Sequence, residues 1–280
     1  MTQESKPMES SSSLALPSIS DAGLCLSTTP PEAHPTHTQR NMLPDSTDRA
    51  GYARSLPDQI ASRYDVITEE ILVSGVSFSM VVVGDTNRLL DRITPEDFAR
   101  DERLPYWAEI WTSSLELARL CMESLDLSGK TVLELGCGVG LAGIAAARAG
   151  ARVIMTDYEE DALLFARCNA VRNLSADITA KQVGTALLDW REASSGDQYD
   201  VVIGSDVTYE RRQFPHLLRV LQESVATGGI ALLTDPDRSV TNDFLSMARE
   251  VGFAVETMRT KCVHRGRACT VTWNLLRRSS

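Results

Sequence analysis

Two kinds of hydrophobic pattern alternate along most of the chain. Continuous apolar runs, typical of strands buried on both faces, lie at 131–135, 152–156, 199–205 and 230–234. Between and after these runs, apolar positions recur at helical spacing, at 140–149, 159–173, 212–225 and 239–250. A weaker strand is predicted near 178–184. Because parallel sheets covered on both faces have such strands, the pattern predicts parallel strands between two layers of helices.

A different pattern precedes this region. Two β-rich runs, 66–73 and 76–83, are separated by Ser74-Gly75, and this arrangement predicts a β-hairpin. Pro95 opens a short predicted helix, and a longer helix with an apolar stripe is predicted at about 113–124. These elements would form an extension on the amino-terminal side of the sheet.

Two further strand-like runs follow the last predicted helix, at 253–258 and 269–275. They read as a hairpin, which would add an antiparallel strand to the sheet. The predicted fold class is therefore α/β: a Rossmann-like, seven-stranded, mostly parallel sheet with helices on both faces, an antiparallel last strand and an N-terminal β-hairpin.

The first part of the chain has another composition. Seven of the eleven prolines precede residue 60, Ser10–Ser13 is a serine run, and apolar residues are sparse and without period. Such a segment cannot bury enough surface to offset the entropy of ordering it. We predict a disordered tail over 1–55, a hairpin and helix extension over 60–126, and the main α/β domain over 127–280.

Charge and cysteine content narrow the class of protein. A net charge of -10 argues against a general nucleic-acid binder, which needs basic surface for phosphate contacts. No apolar run approaches the roughly 20 residues of a membrane span. The cysteines contain no CxxC pair and read as reduced thiols of a cytoplasmic protein, with neither a disulfide nor a metal site expected. They are Cys25, Cys121, Cys137, Cys168, Cys262 and Cys269.

The glycine-rich turn after the first parallel strand carries the strongest chemical signal. Gly136, Gly138 and Gly140 follow the spacing G-x-G-x-G, whereas a dinucleotide fingerprint is G-x-G-x-x-G. Glu134 stands just ahead of them, where its charge would repel a pyrophosphate. S-adenosyl-L-methionine, which has an amino group, a sulfonium and no phosphate, suits this turn better. The alternative interpretation is a tight strand–helix turn that binds nothing.

Asp157 ends the second parallel strand, 17 positions after Gly140. A carboxylate at that place can accept hydrogen bonds from both ribose hydroxyls of a nucleoside. It could equally cap the helix predicted to begin at about Glu159. The two roles are compatible.

From Tyr64 to Leu276 the sequence resembles a known family, the seven-β-strand protein lysine methyltransferases. It is similar to the group that acts on electron-transfer flavoprotein. The resemblance rests on LPYWAEIW, VLELGCGVGLAG, the Asp189-Trp190 pair and the Asp206-x-x-Tyr209 motif. It implies that 127–280 is a class I methyltransferase domain that binds S-adenosyl-L-methionine. It also implies a protein substrate, while the charge, the apolar runs and the cysteine pattern lead us to expect no nucleic acid, membrane or metal.

The resemblance also implies roles for individual residues. Asp206, at the end of the fourth strand, would orient and desolvate the acceptor amine, and Tyr209 would close the pocket around it. Trp190 would pack on adenine, with Asp189 near its exocyclic amine. The complete set implied to bind the cofactor is Trp111, Glu134, Gly136, Gly138, Gly140, Asp157, Tyr158, Asp189, Trp190 and Ser205.

The acceptor and the activity stay open at this point. The same fold serves small-molecule N-methyltransferases of the nicotinamide-methylase-like type, and a fold does not determine the acceptor. The chain could also be a cofactor-binding module without catalysis, or a nicotinamide-dinucleotide dehydrogenase. Two segments have more than one possible role: Asp235-Pro236-Asp237-Arg238 could shape a substrate channel or only form a turn, and the basic C-terminal residues could steer an acidic substrate or simply be solvated.

Overall fold

A computed structural model describes residues 40–42, 49–91, 104–192 and 197–278. Most of the predicted tail and the helix predicted at Pro95 lie outside the described residues. Within these ranges no helix is both long and apolar enough to cross a membrane. The same ranges contain no group of three or more His, Cys, Asp or Glu side chains that could hold a metal ion.

The centre of the fold is one mixed β-sheet. Its strands are β1 (Arg40–Met42), β4 (Thr131–Leu135), β5 (Arg152–Asp157), β6 (Val183–Leu187), β7 (Tyr199–Ser205), β8 (Val225–Asp235), β9 (Phe253–His264) and β10 (Arg267–Arg278). They lie in the order β1-β6-β5-β4-β7-β8-β10-β9, with β10 antiparallel to both of its neighbours. The strands β2 (Val66–Val73) and β3 (Val76–Val83) form a separate hairpin. The predicted fold class is confirmed, with one strand more than expected.

Helices cover both faces of the sheet. They are α1 (Arg49–Ala61), α2 (Asn87–Leu90), α3 (Thr112–Glu123), α4 (Leu141–Arg148), α5 (Glu160–Asn173), α6 (Ala176–Gln182), α7 (Phe214–Ser224) and α8 (Thr241–Glu250). One apolar core joins α3, α4, α5 and the β2–β3 hairpin to the sheet, and a second joins α7 and α8 to the other face. The alternation along β4 separates the two cores, because Val132 belongs to the first and Leu133 and Leu135 to the second.

The ordered chain starts earlier than the sequence predicted. Helix α1 crosses the predicted end of the tail at residue 55, and its Leu56 and Ile60 are fully buried. Residues four apart share one helix face, so this pair packs α1 onto the fold. Strand β1, also inside the predicted tail, pairs antiparallel with β6. The boundary at residue 55 is therefore wrong, and the rest of the domain division stays a prediction.

The weak strand predicted near 178–184 is mostly helix. The side chain of Ser175 accepts a hydrogen bond of 3.3 Å from the backbone N–H of Ile178, which caps the start of α6. Strand β6 begins only at Val183. Capping by serine is a local signal that the sequence interpretation overlooked.

The prediction that every cysteine is a reduced thiol is wrong for one pair. Cys262 and Cys269 stand directly opposite each other in β9 and β10 and form a disulfide. Their Cα atoms are 5.2 Å apart, a separation that a disulfide spans. The hairpin register brings together two cysteines that no CxxC spacing would have connected. Cys121, Cys137 and Cys168 are free and buried.

Candidate active site

A cleft opens at the carboxyl ends of β4, β5 and β7. Strand β4 lies between β5 and β7, so the cleft stands at the point where the strand order reverses and where open α/β sheets bind ligands. The cleft has an empty volume of about 1160 Å³, including the part that is open to solvent. Ten predicted site residues line it: Trp111, Gly136, Gly138, Asp157, Tyr158, Asp189, Trp190, Ser205, Asp206 and Tyr209.

The floor of the cleft is the glycine turn after β4. Gly136 and Gly138 both have positive φ, 62° and 51°, a conformation that L side chains rarely adopt. A Cβ on Gly138 would lie 3.0 Å from the backbone oxygen of Trp107, and one on Gly136 would lie 3.2 Å from Val207. The turn therefore needs glycine for its shape and for the close approach of neighbouring chain.

Asp157 joins the glycine turn to the next strand. Its Oδ2 accepts a hydrogen bond of 2.9 Å from Gly138 N–H, and its Oδ1 accepts one of 3.1 Å from Glu159 N–H. Burial raises the pKa of Asp157 to about 6, against the opposing effect of these amides. The amide of Tyr158 also bonds to this carboxylate, which has about four acceptor sites, so Asp157 can support the helix start and still accept a ligand hydroxyl.

Trp190 and Asp189 form one side wall. The Trp190 ring approaches the glycine turn, with Cζ2 3.8 Å from the position of a Cβ on Gly136. The carboxylate of Asp189 is paired with Arg191, whose Nη2 lies 2.5 Å from its Oδ2. Arg191 also lines the cleft, and the sequence interpretation did not include it. The adenine roles of Asp189 and Trp190 stay predictions.

Three aromatic rings meet at the mouth of the cleft. Tyr106 contacts Trp111 and Tyr209 edge to face, at centroid distances of 6.0 and 5.8 Å. Trp111 Nε1 donates a hydrogen bond of 2.8 Å to the backbone oxygen of Tyr106. Burial raises the pKa of Tyr209 to about 12, so its hydroxyl keeps its proton. Tyr106 was missed although the aromatic cluster in LPYWAEIW signals it.

Asp206 stands at the end of β7 in a strained conformation. Its φ is 55°, in the left-handed region, and its backbone N–H donates a hydrogen bond of 2.8 Å to Thr234 O. Oδ1 accepts a hydrogen bond of 2.9 Å from Arg238 Nη2. Oδ2 is buried and has no hydrogen-bond partner among the described residues. A carboxylate held in this way can accept one N–H bond from a ligand nitrogen.

The structure does not bring Glu134 and Gly140 into the lining of the cleft, where the sequence interpretation expected them. Glu134 shares the strand face of Val132 and is buried beneath α4, where Gly143 N–H donates to it. Gly140 packs against α5, since a Cβ there would lie 2.9 Å from Ala166 Cβ. Strand alternation places Glu134 on the face of β4 that α4 covers, and Gly140 allows α5 to pack closely.

Replacing Glu134 by Gln is expected to stabilise the fold at alkaline pH. Burial raises the pKa of Glu134 from 4.5 to about 8, so the folded protein holds a proton that the unfolded chain releases above pH 4.5. The contribution of Glu134 to wild-type stability therefore falls as the pH rises from about 4.5 to 8, and Gln has no proton to lose. In denaturant unfolding, the free energy of unfolding of Glu134→Gln should exceed that of the wild type by roughly 4 kcal/mol at pH 8. This difference should shrink toward pH 5.

Glu256→Gln, at a side chain that is 67% exposed, is the matched control and should show no such gap. A gap for Glu134→Gln that is equal at both pH values would contradict the buried proton. Calorimetric affinity for S-adenosyl-L-methionine is expected to stay unchanged in Glu134→Gln, because the side chain lies outside the cleft.

The chain is similar in sequence to known protein methyltransferases. A family model described as lysine methyltransferase matches residues 104–251. Protein N-lysine methyltransferase METTL21A of Danio rerio is 36% identical over 137 residues, which is 48% of this chain and 62% of that protein. Electron transfer flavoprotein beta subunit lysine methyltransferase of Danio rerio is 31% identical over 142 residues, 50% of this chain and 53% of that protein.

A relative with another acceptor also matches. Histone-arginine methyltransferase METTL23 of Xenopus laevis is 33% identical over 118 residues, which is 40% of this chain and 49% of that protein. In each of these three matches the aligned part is less than two thirds of the relative's length.

Proposed function

Because the chain belongs to the lysine methyltransferase family, we propose that it transfers a methyl group from S-adenosyl-L-methionine to a lysine side chain of a protein. The observation that carries the proposal is the carboxylate of Asp206. Its Oδ2 is buried without a partner among the described residues, in a cleft whose mouth is aromatic. Such a site suits a nitrogen that presents an N–H and a carbon chain.

The cleft fits the proposed cofactor. Asp157 offers a buried carboxylate where a ribose would lie, the glycine turn exposes backbone rather than side chains, and Trp190 supplies a flat apolar wall. Glu134 lies outside the cleft, so its charge plays no direct part in selecting a cationic ligand. The selection instead rests on Asp157, a buried carboxylate beside the glycine turn that would repel a pyrophosphate.

The cleft residues have different roles in the proposed methyl transfer. When bound, S-adenosyl-L-methionine supplies an electrophilic methyl group, whose bond to sulfur breaks with the electron pair staying on sulfur. Asp206 accepts an N–H···O hydrogen bond from the acceptor amine and so directs the lone pair of the amine toward the methyl group. Tyr209 and Tyr106 enclose the carbon chain and exclude water. Positioning accounts for most of the rate gain, because the protein makes no covalent bond to the substrate.

The lysine acceptor is favoured over arginine by the hydrogen-bond acceptors that Asp206 can offer. A guanidinium is a planar fork that needs several acceptors, whereas an amine needs only one or two. Bidentate binding of such a fork needs both carboxylate oxygens, and Asp206 can offer it only Oδ2 because Arg238 is already bound at Oδ1. The family description and two of the relatives cited above are lysine methyltransferases, which supports the same choice.

The proposal is tested by incubating the protein with methyl-labelled S-adenosyl-L-methionine and a cell lysate. Label is expected in trypsin-sensitive material, and amino-acid analysis should recover it as methyllysine. Label found only in small molecules would favour a nicotinamide-methylase-like enzyme, and cofactor binding without transfer would favour a non-catalytic module. Label recovered as methylarginine would reject the lysine assignment. A cytoplasmic location stays part of the proposal.

A further inference from the structure

We propose that Arg238 is a positioning residue that keeps the acceptor amine in its neutral, nucleophilic form. The inference rests on the proposed function and adds a residue that lies outside the Asp206-x-x-Tyr209 motif. Arg238 ends the Asp235-Pro236-Asp237-Arg238 segment, which starts at the last residue of β8 and for which the sequence allowed either a channel or a simple turn.

Arg238 is held against Asp206 from two directions. Its Nη2 donates to Asp206 Oδ1 at 2.9 Å, and its backbone N–H donates to Asp235 Oδ1 at 2.7 Å. The side chains of Arg238 and Asp206 are 35% and 12% exposed, so solvent screens the pair only in part. Asp237 turns the chain between Asp235 and Arg238 with a φ of 57°. The segment is therefore built to place a guanidinium on the carboxylate.

The electrostatic consequence concerns the amine that would approach Asp206. A lysine ammonium must lose its proton before it can attack, and a lone carboxylate would stabilise the charged form. The guanidinium cancels this charge while leaving Oδ2 free to accept an N–H bond. Arginine suits the task because it stays protonated and offers no lone pair to compete for a proton.

Other charged groups near the acceptor position do not replace Arg238. On the loop after β7, Glu210 and Arg212 line the cleft as an ion pair of 2.8 Å. Tyr209 is neutral, since burial raises its pKa to about 12. At the end of β8, Asp235 is buried, and burial also raises its pKa, while Asn274 Nδ2 donates to it at 3.2 Å. Removing the charge of Arg238 therefore leaves the amine facing uncompensated acid.

The experiment compares Arg238→Met with Arg238→Lys. Each is incubated with lysate proteins and methyl-labelled S-adenosyl-L-methionine, with enzyme in excess, and the single-turnover rate constant of the most strongly labelled band is followed with pH. This rate constant reports on the bound amine. In Arg238→Met we expect the rate constant to be about tenfold lower near neutral pH. We also expect its pH profile to be displaced about one pH unit toward alkaline pH, so that the rate constant recovers there. Arg238→Lys should keep the wild-type profile.

Calorimetry supplies a readout apart from activity, and both variants should bind S-adenosyl-L-methionine with wild-type affinity. The inference would be overturned if the rate constant of Arg238→Met fell by the same factor at every pH, or if Arg238→Lys had the same pH profile as Arg238→Met. In either case, methyl transfer by the wild type would still support the proposed function. Absence of transfer by the wild type would overturn both. Arg238→Gln, which keeps hydrogen-bond donors without charge, replaces Arg238→Met with the same expected shift if that variant does not fold.

Discussion

Asp206→Asn is expected to lower methyl transfer roughly 10²- to 10³-fold while leaving S-adenosyl-L-methionine binding unchanged. The asparagine carbonyl can still accept the hydrogen bond from Arg238. Its NH₂ group, however, replaces the buried Oδ2 and presents donors to an amine that needs an acceptor. Asparagine also tolerates the φ of 55°, so the backbone stays as it is.

The measurement is initial-rate transfer of labelled methyl together with calorimetry on the same preparations. Asp177→Asn is the control, since that residue is 71% exposed on α6 and pairs only with Lys181 among the described residues. It should transfer at the wild-type rate. Unchanged turnover in Asp206→Asn would show that this carboxylate does not contact the acceptor. Loss of cofactor binding would show that Asp206 contributes to binding the cofactor instead.

The second large effect concerns stability. Gly140→Ala is expected to lower the free energy of unfolding by about 3 kcal/mol, from two separate causes. One is the φ of 90°, which strains any L side chain. The other is overlap, because the new Cβ would lie 2.9 Å from Ala166 Cβ and 3.1 Å from Ala166 Cα. Neither atom can move without shifting α5.

Gly252→Ala isolates the packing contribution. Gly252 has a similar φ of 97°, but a Cβ there meets nothing within 4 Å. Denaturant unfolding should therefore give Gly252→Ala a loss of only about 1 kcal/mol, caused by backbone strain alone. Equal losses in the two variants would mean that α5 yields and that Gly140 is needed for its conformation only.

Local patterns were enough to predict most of the sheet and the edge of it where the cleft lies. The strands read as continuous apolar runs because both faces are buried, and the glycine turn sits next to the strand that it follows. Asp157 and Asp206 could be placed at the cleft because each comes directly after a run. The family match over 104–251 confirms the resemblance inferred from the motifs.

What the sequence could not give depends on contacts between distant positions. Arg238 contacts Asp206 across 32 positions, and Tyr106 contacts Tyr209 although the two residues lie in separate segments of the chain. No local period encodes either contact. The disulfide depends in the same way on hairpin register. Glu134 is a different case. Its alternation with Leu133 and Leu135 already indicated that it lies beneath a helix, but its nearness to the glycine turn led us to assign it to the cofactor site.

The strand order has a consequence for how the protein is made. β10 lies between β8 and β9, so β9 has no neighbour in the sheet until residues 267–278 arrive. A chain emerging from the ribosome would therefore carry β8 with an open edge through the whole synthesis of α8 and β9. Open edges pair with other chains. Until residues 267–278 pair with it, β8 is therefore an edge that can pair with other chains, and β9 joins the sheet only through β10.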